Sequence, residues 1–283
     1  YEIDSVQNKG YHITKAPDVM TEEELQSCRK TKWAGQKIVY FDQIDSTNIK
    51  AKELAEQGCP SGTLVVADKQ VAGRGRRGRN WDSPSGTGIF MTLMLKPEIN
   101  PNNASMLTLV AALAVAEAIK DVTGLDARIK WPNDIVINGK KICGILTEMS
   151  AQFDYINHIV IGIGINVHNE AFPEEISAVA GSILLESGGR RFRRAEIIEK
   201  TLEHFEEYYE IYLQTEDLSA LTADYNALLV NMNKQVKVLD PKDEFEGKAM
   251  GITAKGELIV DTWESRKLVS SGEVSVRGIY GYV

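Results

Sequence analysis

Three cysteines are all that this 283-residue chain contains. Cys28, Cys59 and Cys143 are far apart, odd in number, and none stands near a histidine at metal-ligand spacing. A disulfide framework and a zinc site are thereby excluded, and a reducing, cytoplasmic setting is expected. Basic excess is also lacking: 32 Lys and Arg face 40 Asp and Glu, a net charge of -8. Such a chain is not a general binder of nucleic acid or membrane surfaces. No apolar run reaches the ~18 residues that spanning a bilayer requires, and no signal peptide is recognisable. No internal repeat is present. What remains is ordinary for folded protein: 43% hydrophobic and 25% charged residues. That is enough for a buried core and, at this length, for about two domains.

The chain opens without Met, and residues 1–13 read as two short strands around the turn Asn8-Lys9-Gly10. Two strands alone are marginal in water, so this segment reads as the end of a larger module that is missing. Residues 17–32 are polar, with a capping-box start at Thr21 and Glu24. Strands are expected at residues 37–43, 63–67, 89–95 and 156–167. Helices are expected at residues 48–57, 104–122, 194–214 and 219–229. The stretch 69–88 is too rich in Gly, Ser and Pro to be anything but loop. Asn138-Gly139 divides Ile135-Val136-Ile137 from Lys141-Ile142-Cys143, a strong hairpin signal. From Gln235 onward short strands recur between turns such as Lys255-Gly256 and Ser271-Gly272. That texture predicts a small all-β barrel of roughly fifty residues. The fold class is therefore α+β: a mixed sheet with helices, then a β module.

The densest chemical signal is Gly73-Arg74-Gly75-Arg76-Arg77-Gly78-Arg79. It matches GxGxxG by spelling, but a dinucleotide site needs a helix to start there. Asn80-Trp81-Asp82-Ser83-Pro84 follows instead, so that reading is rejected. What is left is four arginines on a backbone that glycine makes permissive. Guanidinium groups fit carboxylate and phosphate bidentately. A solvated basic loop is the plainer alternative, and on charge alone it stays open.

Lys130-Trp131-Pro132-Asn133-Asp134 gathers a cation, an aromatic ring and a carboxylate around a proline. By itself this also reads as a strand end with Trp131 in the core. Lys141 opens the second hairpin arm and by itself reads as a surface lysine. Gly144 lies in an apolar strand, where glycine often marks a close approach.

In order along the chain, Asp45-Ser46-Thr47-Asn48, Gln70 to Trp81, Lys130 to Asp134, Lys141 to Gly144 and Gly162-Ile163-Gly164-Ile165-Asn166 resemble the catalytic domain of biotin protein ligases. The resemblance covers residues 40–280. It implies a class II synthetase-like core over residues 37–233 and an SH3-like β-barrel over residues 234–283. Residues 21–36 are expected as a linker. Residues 1–20 look like the wing of a winged helix-turn-helix, as in members that double as transcription repressors. DNA binding would then need helices that the chain lacks.

The resemblance implies two steps in one site. Biotin and ATP form biotinyl-5′-AMP, and a lysine of the biotin carboxyl carrier protein of acetyl-CoA carboxylase then takes the biotinyl group. Ser46, Thr47, Asn48, Gln70, Gly73, Gly75 and Gly144 are implied at biotin. Arg74, Arg76 and Lys141 are implied as catalytic, at the carboxylate and phosphates. Arg79, Trp81, Asn166 and Arg194 are implied at the nucleotide, with Arg76. Asp134 is a candidate ligand for Mg²⁺. A homodimer joined by sheet edges near Lys140 to Ser150 is also implied. The rivals are a lipoate protein ligase on the same fold, a ligand-sensing DNA-binding regulator, and a plain structural domain.

Overall fold

The computed structural model describes residues 2–6, 10–15, 17–239, 243–271, 275–279 and 281–283. Strands β1 (Glu2–Val6) and β2 (Gly10–Lys15) pair antiparallel as a separate two-stranded sheet. The turn residues Asn8 and Lys9 lie outside the described residues, as do Gly272 and Val274. Helix α1 (Glu22–Cys28) starts where the capping box predicts, with Thr21 Oγ1 accepting the Glu24 N–H.

The main body then runs β3 (Ile38–Phe41), α2 (Thr47–Glu56), β4 (Thr63–Ala67), β5 (Gly88–Leu95), α3 (Leu107–Thr123), β6 (Arg128–Lys130), β7 (Asp134–Ile137), β8 (Lys140–Ala151) and β9 (Ile156–Asn166). Single turns α4 (Glu174–Ser177) and α5 (Ile183–Glu186) precede the long α6 (Arg194–Thr215) and the shorter α7 (Thr222–Leu228). The β module holds β10 (Gln235–Leu239), β11 (Phe245–Ile252), β12 (Leu258–Asp261), β13 (Arg266–Val269) and β14 (Ser275–Gly278).

The main sheet has seven strands in the order β3-β4-β5-β9-β8-β7-β6. Its β3–β4 pair is parallel and the other pairs are antiparallel. The β module is a five-stranded antiparallel sheet. The α+β expectation therefore holds. Side chains alternate across a strand, so each face can be read separately. Leu64, Val66, Leu93, Ile159 and Ile161 join the large core under α3 and α6. Val65, Met94 and Val160 turn the other way and pack on Ala51, Leu54 and Ala55 of α2. Coverage on both faces is why β4 and β5 read as largely apolar runs, interrupted in β5 by Thr92.

Several boundaries differ from expectation: the strand expected at residues 37–43 is Ile38–Phe41, and the helix expected at residues 219–229 is Thr222–Leu228. The helix expected from Ala104 begins as a 3₁₀ turn over Pro101–Met106 and becomes α-helical at Leu107. β8 is 12 residues long, because its far half keeps pairing with β9 after β7 has ended. Residues 21–36, expected as a linker, are packed against the body. Leu25 and Ala34 enter the core, and Glu206 on α6 accepts the backbone N–H groups of Lys32, Trp33 and Ala34 at 2.8, 2.9 and 2.9 Å. No helix of the described residues is long and apolar enough to cross a membrane.

Arg194 fastens this N-terminal segment to the sheet. Its guanidinium lies 2.8 Å from Asp18 Oδ2 and 2.8 Å from Asp68 Oδ1, and it donates to the Gly88 carbonyl at 3.0 Å. Burial raises the Asp18 pKa, but hydrogen bonds from His168 and Arg194 outweigh it and hold Asp18 at about 2. A folded value below the unfolded one means stability that is present above about pH 4 and lost as pH falls toward 2. Arg194→Leu should lower the unfolding free energy at pH 7 by roughly 2–3 kcal/mol, the buried-pair range discounted for partial exposure. In denaturant titrations the gap from wild type should narrow on acidification through that window; a gap independent of pH would contradict this role.

Candidate active site

At the start of α2 the main sheet carries a cavity of about 480 Å³. Its floor is made by backbone more than by side chains. Gly144 of β8 and Gly164 of β9 are paired in register, and Gly162 follows two residues away. A Cβ on Gly164 would lie 2.6 Å from Trp81 Nε1, and one on Gly144 would lie 2.9 Å from Trp81 Cζ3. A Cβ on Gly162 would lie 2.0 Å from Asn48 Oδ1. The glycines thus let the Trp81 indole and the Asn48 amide rest directly on the strands.

One end of the cavity is neutral and polar. Ser46, Thr47 and Asn48 are buried at the start of α2. The Thr47 backbone N–H and hydroxyl donate to Gln70 Oε1 at 2.9 and 3.1 Å, and Gln70 Nε2 donates to Ser83 Oγ at 3.1 Å. Thr92 Oγ1 lies 2.8 Å from Thr47 Oγ1 and 2.7 Å from Asn48 Oδ1. Asn48 Nδ2 donates to Glu148 at 2.8 Å. Thr47, Asn48 and Gln70 are each oriented by a neighbour, which preorganises hydrogen-bonding edges for a polar, uncharged ligand group.

The other end is cationic. Lys141 Nζ is 2.6 Å from Asp134 Oδ1 and 5.4 Å from the centre of the Trp81 ring. Lys130 is 5% exposed, and burial lowers its pKa to about 8 against the pull of Asp134. Arg76 donates to Asn133 Oδ1 and to the Ser271 carbonyl, both at 2.8 Å. The second of these bonds ties the arginine loop to the β module. Arg277 and Tyr282 of that module also line the cavity.

The loop itself confirms that GxGxxG is misleading here. Arg76–Gly78 is a single 3₁₀ turn, and Arg79 after it is extended. Arg77 and Gly78 adopt φ of 58° and 69°, a reversal for which glycine is suited. Gly75 N–H donates to the Arg79 carbonyl at 2.7 Å and Trp81 N–H to the Gly73 carbonyl at 2.9 Å. The loop is therefore a narrow, self-bonded finger that carries Trp81 onto the glycine floor.

Most residues singled out from the sequence converge on this cavity: the Ser46–Asn48 segment, Gln70, Arg74 to Arg76, Arg79, Trp81, Asp134, Lys141, Gly144 and Asn166. Two do not. Gly73 is buried beneath the loop, where a Cβ would meet the Trp81 carbonyl at 2.4 Å. Arg194 is spent on Asp18 and Asp68 and is no nucleotide contact in this geometry. Asp134 is already engaged by Lys141 and Tyr282. No group of three or more His, Cys, Asp or Glu among the described residues could hold a metal. Lys130 and Tyr282 were missed. Lys130 stood in a quoted segment, and its burial between cations was the unread part. Tyr282 gave no sequence signal.

A family model described as the biotin/lipoate A/B protein ligase family matches residues 40–166, and one described as the biotin protein ligase C terminal domain matches residues 232–277. The chain is 41% identical over 278 residues to the bifunctional ligase/repressor BirA of Bacillus spizizenii, covering 98% of this chain and 85% of that protein. The chain belongs to the biotin protein ligase family. The ligase is also 31% identical over 238 residues to the biotin–[acetyl-CoA-carboxylase] ligase of Mycobacterium tuberculosis, covering 82% and 86% of the two chains. Among solved structures it resembles a biotin protein ligase from Aquifex aeolicus in complex with biotin and ATP. There the TM-score is 0.76 at 31% identity, over 86% of this chain and 99% of the other.

The glycine floor of the ligase makes a direct prediction. Gly164→Ala should push the Trp81 indole off β9 and shift tryptophan emission to longer wavelength. The shift should vanish in a Trp81→Phe background. Unchanged emission in the single variant would show that Trp81 does not rest on Gly164 in solution.

Proposed function

We propose that the ligase activates biotin with ATP and transfers it to a lysine of a biotin carboxyl carrier protein, using the cavity described above. The observation that carries this reading is the polarity of the cavity. A neutral hydrogen-bonding end at Thr47, Asn48 and Gln70 suits biotin's fused-ring urea. An apolar glycine and tryptophan middle suits its tail and a nucleobase. A cationic end at Arg76, Lys130 and Lys141 suits a carboxylate beside a triphosphate.

In the first step a biotin carboxylate oxygen attacks the α-phosphorus of ATP, and pyrophosphate leaves with the bonding electron pair. Both partners are anions, so the main barrier that protein can lower is their repulsion. Lys141 holds the junction where they meet, with Arg74 and Arg76 on either side. Trp81 offers its face to adenine, and Asn166 and Arg79 line the nucleotide end. In the second step a carrier lysine, as free amine, attacks the acyl carbon, and AMP leaves. The enzyme supplies no nucleophile. Cys143 is fully buried and burial raises its thiol pKa, which keeps it protonated. Among the described residues no carboxylate cage forms for Mg²⁺, so it would travel with the triphosphate, and no step is assigned to it.

The β module's family match favours biotin over lipoate as substrate. Acetyl-CoA carboxylase as the destination is supported by the name of the Mycobacterium relative. A second role in repression is supported by the naming of the Bacillus relative and by the β1–β2 pair, read as a wing. A homodimer is supported by β8, whose residues beyond the β7 pairing expose Met149. Division into a residue 1–20 wing, a 37–233 catalytic body and a 234–283 module belongs to the same proposal.

A hydrogen bond to a charged group is worth roughly 1.5–3 kcal/mol. Lys141→Ala should therefore slow biotin-dependent pyrophosphate release by about tenfold or more while leaving the circular dichroism spectrum unchanged. Wild-type pyrophosphate release from that variant would remove Lys141 from the site.

A further inference from the structure

After β14 the chain reverses sharply. Gly278 and Gly281 form an antiparallel bridge, and a Cβ on Gly278 would lie 2.3 Å from the Val283 carbonyl oxygen. The reversal carries Tyr282 from the β module onto the catalytic body. There its hydroxyl donates to Asp134 Oδ2, and the Lys130 ammonium sits 4.1 Å from its ring centre. The other oxygen of Asp134 is 2.6 Å from Lys141. Burial, then the charge of Asp134, raises the phenol pKa well above its ordinary value, so it stays a neutral donor.

Asp134 is thus shared between one neutral donor and one lysine, while Lys130 is turned toward an aromatic face. The division matters for charge. A carboxylate with both oxygens open would draw both ammonium groups, since Lys130 is buried and lacks a full counter-charge. Each lysine so paired would have to be detached before it could meet phosphate. The phenol takes one oxygen with no charge of its own, and its ring gives Lys130 a weaker resting place than a carboxylate would.

We infer that Tyr282 is a positioning residue: it holds Asp134 so that Lys141 alone pairs with the carboxylate and Lys130 stays apart from it, available to an incoming triphosphate. The β module thereby completes the nucleotide end of a site whose biotin end lies wholly in the catalytic body. This inference rests on the function proposed above and adds to it a residue and a division of labour.

The two ends can be tested apart. Biotin affinity is measured by calorimetry, and the steady-state constants for ATP from pyrophosphate release at saturating biotin. Tyr282→Phe keeps the ring and loses the hydroxyl; Tyr282→Leu loses both. The expected result is a KM for ATP raised about tenfold in Tyr282→Phe and further in Tyr282→Leu. Biotin affinity and kcat should stay within about twofold of wild type. Two results would overturn the inference: a wild-type KM for ATP in Tyr282→Phe, or an equal loss of biotin and ATP affinity with a lowered unfolding midpoint. The second result would mean that Tyr282 merely holds the modules together. A wild-type protein that binds biotin but releases no pyrophosphate would overturn the functional proposal itself, and this inference with it.

Discussion

Positive charge gathered in a desolvated space is the constraint on which this structure turns. Arg76, Lys130 and Lys141 converge where Asp134 is the carboxylate that answers them. Burial disfavours the charge on Lys130, repulsion from the nearby Lys141, Arg277 and Arg76 adds to this, and its pKa falls to about 8. The protein tolerates the repulsion because each cation is held by something rigid. Arg76 is held by Asn133 and the Ser271 carbonyl, Lys141 by Asp134, and Lys130 by the ring of Tyr282. The site is poised for anions, and in the biotin protein ligase reaction two anions must be brought together.

The rest of the fold serves that arrangement. The sheet's α2 face is apolar under the helix and bare beyond it, and glycine at positions 144, 162 and 164 keeps the bare part flat enough for a ring. The 17–36 segment, pinned through Arg194 and Glu206, ties the body together on its other side. The β module reaches back through Ser271 and Tyr282. Parts distant in sequence therefore share one small volume, and Lys130 on β6 meets Tyr282 at the far end of the β module.

Much of this was legible beforehand, for identifiable reasons. Strands such as β4 and β5 announce themselves by largely apolar runs, and the Asn138-Gly139 turn fixed the hairpin that carries Lys141. Gly144 in an apolar strand signalled close approach, though not that Trp81 would be the group approaching. Arg194 misled because a basic stretch before a helix resembles an anion site. The carboxylates that claim it, Asp18 and Asp68, are remote in sequence, and no local pattern announces such a pairing. The packing of residues 21–36 was hidden similarly, since a polar segment can be ordered by a single carboxylate, here Glu206. Tyr282 was invisible because its meaning lies wholly in what it touches.

The central claim is that one cavity gathers both reactants across its neutral and cationic ends. Calorimetry with a stable biotinyl-AMP analogue, its anhydride replaced by an unreactive linkage, tests this most directly against biotin and AMP measured singly. Linking two ligands that occupy adjoining subsites should tighten binding at least a hundredfold over either alone. An analogue that binds no more tightly than biotin would contradict the account, because the nucleotide half would then have no place beside it.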